Sequence, residues 1–392
     1  MILFPKSWKI FFKAILTSFL DVSSTKKNLK PSKRLLIVKV DGIGDYVLFR
    51  NCLKALSESD RFNQFDIDLI TNSLNKDLTT QFDSKYLNNT FFVPREKIHL
   101  NQKVRNEYLN LLNDRDYDLV INWTFSRVVF DDLFIRSINA KNKISFEGDD
   151  NNQSKWMKSI TNSFYCRLLP TDTLIKFEFE RNWQMLEFIV EDKIGLKTFG
   201  FDNLPFKTTE TNRAPYVVFA PGASSEDRVW SSSNYSKLAD LILENNLCQN
   251  IIICGSKGDG NLAKAIINGA KNCKKIMDIT GTLKLSKLPE LFNKSVAVIS
   301  SESGLTHIAA ASRSFYYCIS NGNHLGRFHP YPEELICLKG SYFYPPQIEK
   351  DIQFLNFKDV TKRHGRKSTF DTSEIPVEKV FQKLEKDQNR LD

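Results

Sequence analysis

Arg34-Leu-Leu-Ile-Val-Lys-Val-Asp-Gly-Ile-Gly-Asp45 is the stretch on which the fold turns. Its first seven residues include Leu35, Leu36, Ile37, Val38 and Val40, a short β-rich run. A continuous apolar run of this length reads as a strand covered on both faces, the kind found in parallel sheets. Gly42 and Gly44 follow, and two glycines after a strand allow a tight turn and close approach of backbone to a ligand. Asp45 stands where this loop enters a helical stretch, Tyr46 to Ser57. It has two readings. As a helix N-cap it satisfies free backbone N–H groups. As an exposed carboxylate at the C-terminal edge of a sheet it takes the proton from an attacking hydroxyl.

A dinucleotide fingerprint is the rival for the same glycines. The third position holds Val47 rather than glycine, and the next strand ends in Thr71-Asn72 without an acid to hold a ribose. An NAD-dependent oxidoreductase is therefore disfavoured.

Outward from this motif, strands are expected at Phe65 to Ile70, Thr90 to Val93, Tyr117 to Trp123 and Lys143 to Phe146. Helices are expected at Val104 to Asn113, Val129 to Ile138 and Phe177 to Val190, with residues 147–175 as a polar loop or lid. A second series follows, with strands at Tyr216 to Ala220, Asn250 to Cys254, Val296 to Ser300 and Phe315 to Ile319. Its helices fall at Ser233 to Glu244, Gly260 to Ala270, Leu285 to Phe292, Leu305 to Ala311 and Pro376 to Lys386. Alternating strands and helices imply two α/β domains with parallel sheets. The expected boundaries are residues 34–205 and 215–392, with a linker around 200–214.

The bulk numbers agree. A chain of 392 residues suits two domains, and 41% hydrophobic residues permit real cores. The formal net charge of +9 suits an anionic partner such as a nucleotide or phosphorylated lipid. No RNA-binding aromatic motif, zinc-finger spacing or helix-turn-helix is evident, so no nucleic-acid partner is expected. Seven cysteines, none in a C-x-x-C pair and most in apolar runs, read as free buried thiols, and no metal site is expected.

Residues 1–33 form a segment apart. Phe4, Trp8, Phe11, Phe12, Ile15, Leu16 and Phe19 fall on one helical face, and lysines interrupt the run. The stretch is too short to span a bilayer and lacks a signal-peptide cleavage pattern. It reads as a basic amphipathic helix on an anionic membrane surface, or as a helix packed on the protein itself.

Three further constellations follow strands. In Ala220-Pro-Gly-Ala-Ser-Ser-Glu-Asp-Arg-Val-Trp230, Gly222 permits an exposed turn, Ser224 and Ser225 offer donors, and Arg228 is suited to a phosphate. The plainer alternative pairs Arg228 with Glu226 or Asp227 and buries Trp230. In Ser300-Ser-Glu-Ser-Gly-Leu-Thr-His-Ile-Ala-Ala-Ala311 a helix begins near Gly304, and its free N–H groups form an anion site. Ser303 and Thr306 add hydroxyls. Glu302 binds sugar or ribose hydroxyls or caps the helix, and His307 is a ligand contact or a core histidine. In Ser320-Asn-Gly-Asn-His-Leu-Gly-Arg-Phe-His-Pro-Tyr-Pro332, Asn323 and Arg327 are possible contacts in a pliable loop.

Taken together, Leu36 to Asp45, Pro221 to Trp230 with its arginine and tryptophan, and Glu302-Ser-Gly-Leu-Thr-His307 resemble glycosyltransferase family 9, the lipopolysaccharide heptosyltransferase family. Tyr117-Asp-Leu-Val-Ile-Asn122 and Lys143-Ile-Ser-Phe146 are also similar, so the likeness runs from about Arg34 to Pro332. The resemblance implies a GT-B fold, with two Rossmann-like domains whose parallel sheets face an interdomain cleft. It implies an inverting transfer without a metal or other cofactor, with ADP-heptose as donor and a lipopolysaccharide or related surface glycan as acceptor. With the amphipathic segment at residues 1–33, the expectation is a cytoplasmic enzyme, peripheral on the inner face of the bacterial inner membrane, acting on a lipid-linked acceptor. The family's catalytic aspartate falls on Asp45, its donor-phosphate lysine on Arg228, and its Asp-Thr-Gly-x-x-His on Glu302, Ser303, Gly304 and His307. Two departures stand out. Glu302 is one methylene longer than aspartate, and Arg228 keeps the charge of lysine but not its geometry. A same-fold transferase using another nucleotide sugar in O-antigen or capsule synthesis, and a nucleotide-sugar-binding protein without turnover, are the alternatives.

Overall fold

The computed structural model describes residues 30–171, 176–195, 197–202, 204, 215–332, 335, 340–364 and 370–389. The amphipathic segment expected at the N-terminus, most of the expected linker and Cys337 lie outside the described residues.

Twelve described strands form two six-stranded sheets. The first contains β1 (Arg34–Lys39), β2 (Asp66–Asn72), β3 (Asn89–Val93), β4 (Tyr117–Asn122), β5 (Ala140–Phe146) and β6 (Arg167–Leu169). The second contains β7 (Tyr216–Ala220), β8 (Asn250–Ile253), β9 (Ile276–Asp278), β10 (Val298–Ser301), β11 (Tyr316–Ile319) and β12 (Gly340–Phe343). Every pairing is parallel. The order is β3-β2-β1-β4-β5-β6 in one sheet and, read from its far edge, β9-β8-β7-β10-β11-β12 in the other. Both sheets thus reverse direction beside their first strand, at β1/β4 and at β7/β10. Loops leaving the C-terminal ends of two such strands diverge and open a crevice, the usual ligand position in this class of sheet.

The chain divides into two compact units that do not follow sequence order. Ile43–Leu48 and Leu174–Phe179 group by their contacts with Thr198–Asp392. In the first unit β1 is buried from Leu35 to Lys39, and Leu36, Val38, Ile70, Val93, Val120 and Phe134 share one apolar cluster. In the second, Val217, Phe219, Ile251, Ile253, Ile299 and Tyr317 form the corresponding core with the helix Ser232–Glu244. Burial of near-continuous aliphatic strands on both faces is what drives helices onto each side.

Several details depart from expectation. The helix expected over Tyr46 to Ser57 starts at Ile43 and is interrupted at Arg50, whose guanidinium bonds buried Asp83 at 2.7 Å. Residues 147–175, expected as loop, include the helix Lys155–Asn162 and strand β6. Strands β9 and β12 and the helices Pro346–Phe354 and Phe357–His364 had no clear sequence signal. Of the six described cysteines, four are buried, whereas Cys166 and Cys273 are exposed.

Candidate functional site

The β7 and β10 loops meet because their strands are hydrogen-bonded neighbours at the reversal point. Ser301 Oγ, at the end of β10, donates to the Pro221 carbonyl at 2.7 Å and accepts from Trp230 N–H at 3.3 Å. Trp230 is fully buried edge-on to Tyr235, with ring centroids 5.1 Å apart, and so anchors the loop that carries Arg228.

Arg228 does not pair with Glu226 or Asp227 in the way the plainer reading supposed. Its Nε donates to Ser225 Oγ at 2.9 Å, another guanidinium nitrogen bonds Ser224 Oγ, and Nη1 lies 3.8 Å from Glu302 Oε1. Ser224 and Ser225 remain exposed, and the Arg228 side chain is 15% exposed. The cation is therefore held near the surface by neutral hydroxyls and only loosely balanced by one carboxylate.

Glu302 is the centre of this cluster. Its carboxylate accepts from Ser320 Oγ at 2.6 Å, with His324 Nδ1 at 2.9 Å and His329 Nε2 at 3.2 Å. Burial would raise its pKa, but the adjoining His329 and His324 outweigh that and hold the carboxyl below the usual carboxylate range. Glu302 is thus a buried anion with named partners. His329 Nδ1 also lies 2.9 Å from Tyr344 Oη, and its Nε2–H donates to the Asn323 carbonyl at 2.8 Å.

The helix Gly304–Ala311 begins directly after this acid. Ser303 is its N-cap, accepting from Leu305 N–H, and Thr306 closes the capping box. Thr306 is buried, and its hydroxyl contacts Ser300 Oγ at 2.9 Å and the Ser301 carbonyl at 3.1 Å. Glu302 is not the cap.

Gly44 and Gly304 are required by close approach. A Cβ on Gly304 would lie 3.0 Å from Ile43 Cβ and 3.1 Å from Gly44 N, and one on Gly44 would lie 2.7 Å from His307 Cδ2. The turn preceding Asp45 is therefore pressed onto the start of the helix that follows Glu302. Asp45 is the third residue of the helix Ile43–Phe49, not its N-cap, and is half-buried. Gly42, also half-buried, precedes that helix. The other acid of the motif, Asp41, is engaged elsewhere: Lys39 Nζ lies 3.0 Å, Thr124 Oγ1 2.9 Å and Arg95 Nη1 3.7 Å from its carboxylate. Asp45, by contrast, groups by its contacts with the second unit.

His307 is buried with Nδ1 2.7 Å from Tyr331 Oη. Burial, reinforced by the charge on His329, lowers its pKa to about 4, so it is neutral at pH 7. This predicts a pH effect on stability. The unfolded chain takes up the proton near the ordinary value of 6.5, before the folded chain does, so stability falls as pH drops from 6.5 toward 4. The limiting slope is about 1.4 kcal/mol per pH unit. Urea midpoints of wild type and His307→Gln, compared at pH 7 and pH 5, should show the larger loss in wild type. Equal losses would contradict the assignment.

The remaining expected residues divide. Gly222 is needed because a Cβ there would lie 2.3 Å from Asp259 Oδ1, and Asp259 itself accepts from Ser256 N–H at 2.6 Å. Asn321 Nδ2 reaches the Asp227 carbonyl at 3.1 Å, tying the loop after β11 to that after β7. Asn323 Oδ1 is buried without a hydrogen-bond partner among the described residues, an acceptor available to a ligand N–H or O–H. Arg327 instead bonds buried Glu178 at 2.9 Å and is engaged in packing. Sequence reading missed Ser320, His329 and Asp259. Ser320 directly follows β11 and His329 lies ten residues beyond its last residue, so neither spacing marks them as partners of Glu302.

Two doubly covered parallel sheets of one strand order, with a charged cluster at a reversal point, define a two-domain α/β protein of the GT-B type. Residues 190–317 match the family model of glycosyltransferase family 9 (heptosyltransferase), a span that includes the Pro221 to Trp230 and Glu302 to His307 motifs. The chain is also 33% identical over 158 residues to lipooligosaccharide heptosyltransferase 2 of Haemophilus ducreyi. That match covers 39% of this chain and spans 40% of the relative's length. Among solved structures, the family 9 glycosyl transferase of Veillonella parvula superimposes with TM-score 0.68 at 14% identity, covering 93% of this chain and 100% of that one. The Escherichia coli heptosyltransferase WaaC with ADP-2-deoxy-2-fluoro heptose gives 0.65 at 15% identity, covering 90% and 99%. At these identities the structural likeness establishes the fold. Among the described residues no helix is long and apolar enough to cross a membrane.

Proposed function

We propose that the chain is an inverting, metal-independent glycosyltransferase that moves heptose from ADP-heptose to a lipopolysaccharide or related surface-glycan acceptor. The observation that carries this reading is the cluster in which Arg228, seated on Ser224 and Ser225, stands beside Glu302 at the start of the helix Gly304–Ala311. The relatives support the choice of donor, since WaaC structures with ADP and with an ADP-heptose analogue share this fold.

In the proposed reaction an acceptor hydroxyl attacks the anomeric carbon opposite the nucleotide. Its proton passes to the Asp45 carboxylate, the new C–O bond forms, and the bond to the diphosphate breaks, inverting the configuration. The departing diphosphate gains negative charge. Arg228, the Ser224 and Ser225 hydroxyls, and the backbone N–H groups around Ser303 and Gly304 stabilise it. This cationic cradle supplies the role that a divalent ion fills in metal-dependent sugar transferases. Glu302 is placed to accept from sugar hydroxyls, and Asn323 Oδ1 to accept a further hydrogen bond. The enzyme works at the cytoplasmic face, held to an anionic membrane surface through residues 1–33, where a lipid-linked acceptor is presented.

Melting temperature with candidate donors tests the donor choice. ADP-heptose at a hundred times its dissociation constant should stabilise the protein by about 2.7 kcal/mol, a rise of a few degrees. A rise with a UDP- or GDP-sugar and none with ADP-heptose would replace the donor but keep the reaction class.

A further inference from the structure

The helices Pro346–Phe354 and Phe357–His364 pack as a hairpin on the second unit. Its inward face is filled by Ile348 and Val360, which are fully buried. Its tip is the reverse: Ile352 is 39%, Phe354 76% and Leu355 37% exposed. Single exposed apolar side chains are ordinary, but three within four residues at a turn are not.

The charges around the tip indicate what covers it. Glu349 is paired with Lys379, and Asp351 is held by His364 at 2.7 Å and Arg363 at 3.1 Å. Lys350 and Lys358, exposed on either side of the tip, have no ion-pair partner among the described residues. Asp359, also exposed, is held by Asn356 Nδ2 at 2.7 Å and has no cation partner among the described residues, so two lysines against one carboxylate leave the tip with a positive balance. Three side chains are also far short of the roughly 800 Å² per partner that a stable protein interface buries.

We propose that this hairpin tip is a membrane-docking surface for an anionic bilayer. Phe354, Ile352 and Leu355 enter the headgroup–acyl boundary while Lys350 and Lys358 stay at the phosphates. The proposal does not depend on sugar transfer, and its test needs no substrate.

The full chain is sedimented with phosphatidylcholine vesicles containing or lacking phosphatidylglycerol. Wild type should partition onto the anionic vesicles, and F354S/L355S should do so about tenfold more weakly, since two partly inserted apolar side chains are lost. The Phe354 side chain is already mostly in water, so Phe354→Ser alone should leave the melting temperature unchanged while weakening partitioning, which separates a docking effect from any folding cost at the less exposed Leu355. In a second arm, Phe354→Trp should add emission that brominated lipid quenches beyond the wild-type signal. Equal partitioning of F354S/L355S and wild type would overturn the proposal, as would an unquenched tryptophan at 354 on sedimented protein. So would lipid-free self-association that the serine pair abolishes, which would assign the tip to a second copy of the chain.

Discussion

Asp45→Asn is expected to lower kcat by a hundredfold or more while leaving nucleotide-sugar affinity within a few-fold of wild type. The substitution keeps the shape and removes the ability to take a proton. The prediction depends on where each acid of Asp41-Gly-Ile-Gly-Asp45 sits. Asp41 is committed to Lys39, Thr124 and Arg95, so Asp41→Asn should act through folding, not through the chemical step. Asp45 lies one residue beyond the glycine that abuts His307 and belongs by contacts to the unit carrying Arg228 and Glu302. Near-normal kcat in Asp45→Asn would remove it from the mechanism. A loss that tracks melting temperature instead of kcat would make it a structural residue.

Arg228→Ala is expected to weaken binding of the nucleotide-sugar and of its free diphosphate nucleotide by roughly tenfold to a hundredfold, the range for a lost charge-assisted contact. Calorimetric titration of ADP reads this directly. The loss should fall on both ligands alike, because the guanidinium is assigned to the phosphates and not to the sugar. Removing it also takes a guanidinium away from Glu302, so Arg228→Lys is the informative companion. Lysine restores charge but not the two-serine seat, and should recover only part of the affinity. Unchanged ADP affinity in Arg228→Ala would place the phosphates elsewhere.

Much of this is legible in the sequence. Tyr216–Ala220 and Tyr117–Asn122 are apolar runs bounded by polar loops, and both sheets could be inferred from such runs alternating with helical stretches. The short edge strands β6, β9 and β12 were not, because three or four residues carry too little pattern and rely on a neighbouring strand for their backbone hydrogen bonds. In the site, the anion-binding character of Arg228 and the helix after Ser303 followed from residue type and position. The partners of Glu302 did not. Ser320, His324 and His329 reach it from a loop after the adjacent strand β11, and such contacts depend on strand order, which a single sequence does not state. Thr306 shows the converse: its type suggested a ligand donor, whereas its buried hydroxyl closes the helix start.

The most direct test is the reaction itself. Purified protein is incubated in EDTA with ADP-heptose and a heptose-deficient lipopolysaccharide acceptor, and nuclear magnetic resonance reads the anomeric configuration of the product. The account predicts one ADP released per sugar transferred, with the configuration opposite to that of the donor. Retained configuration, or transfer that appears only when a divalent metal is restored, would contradict it.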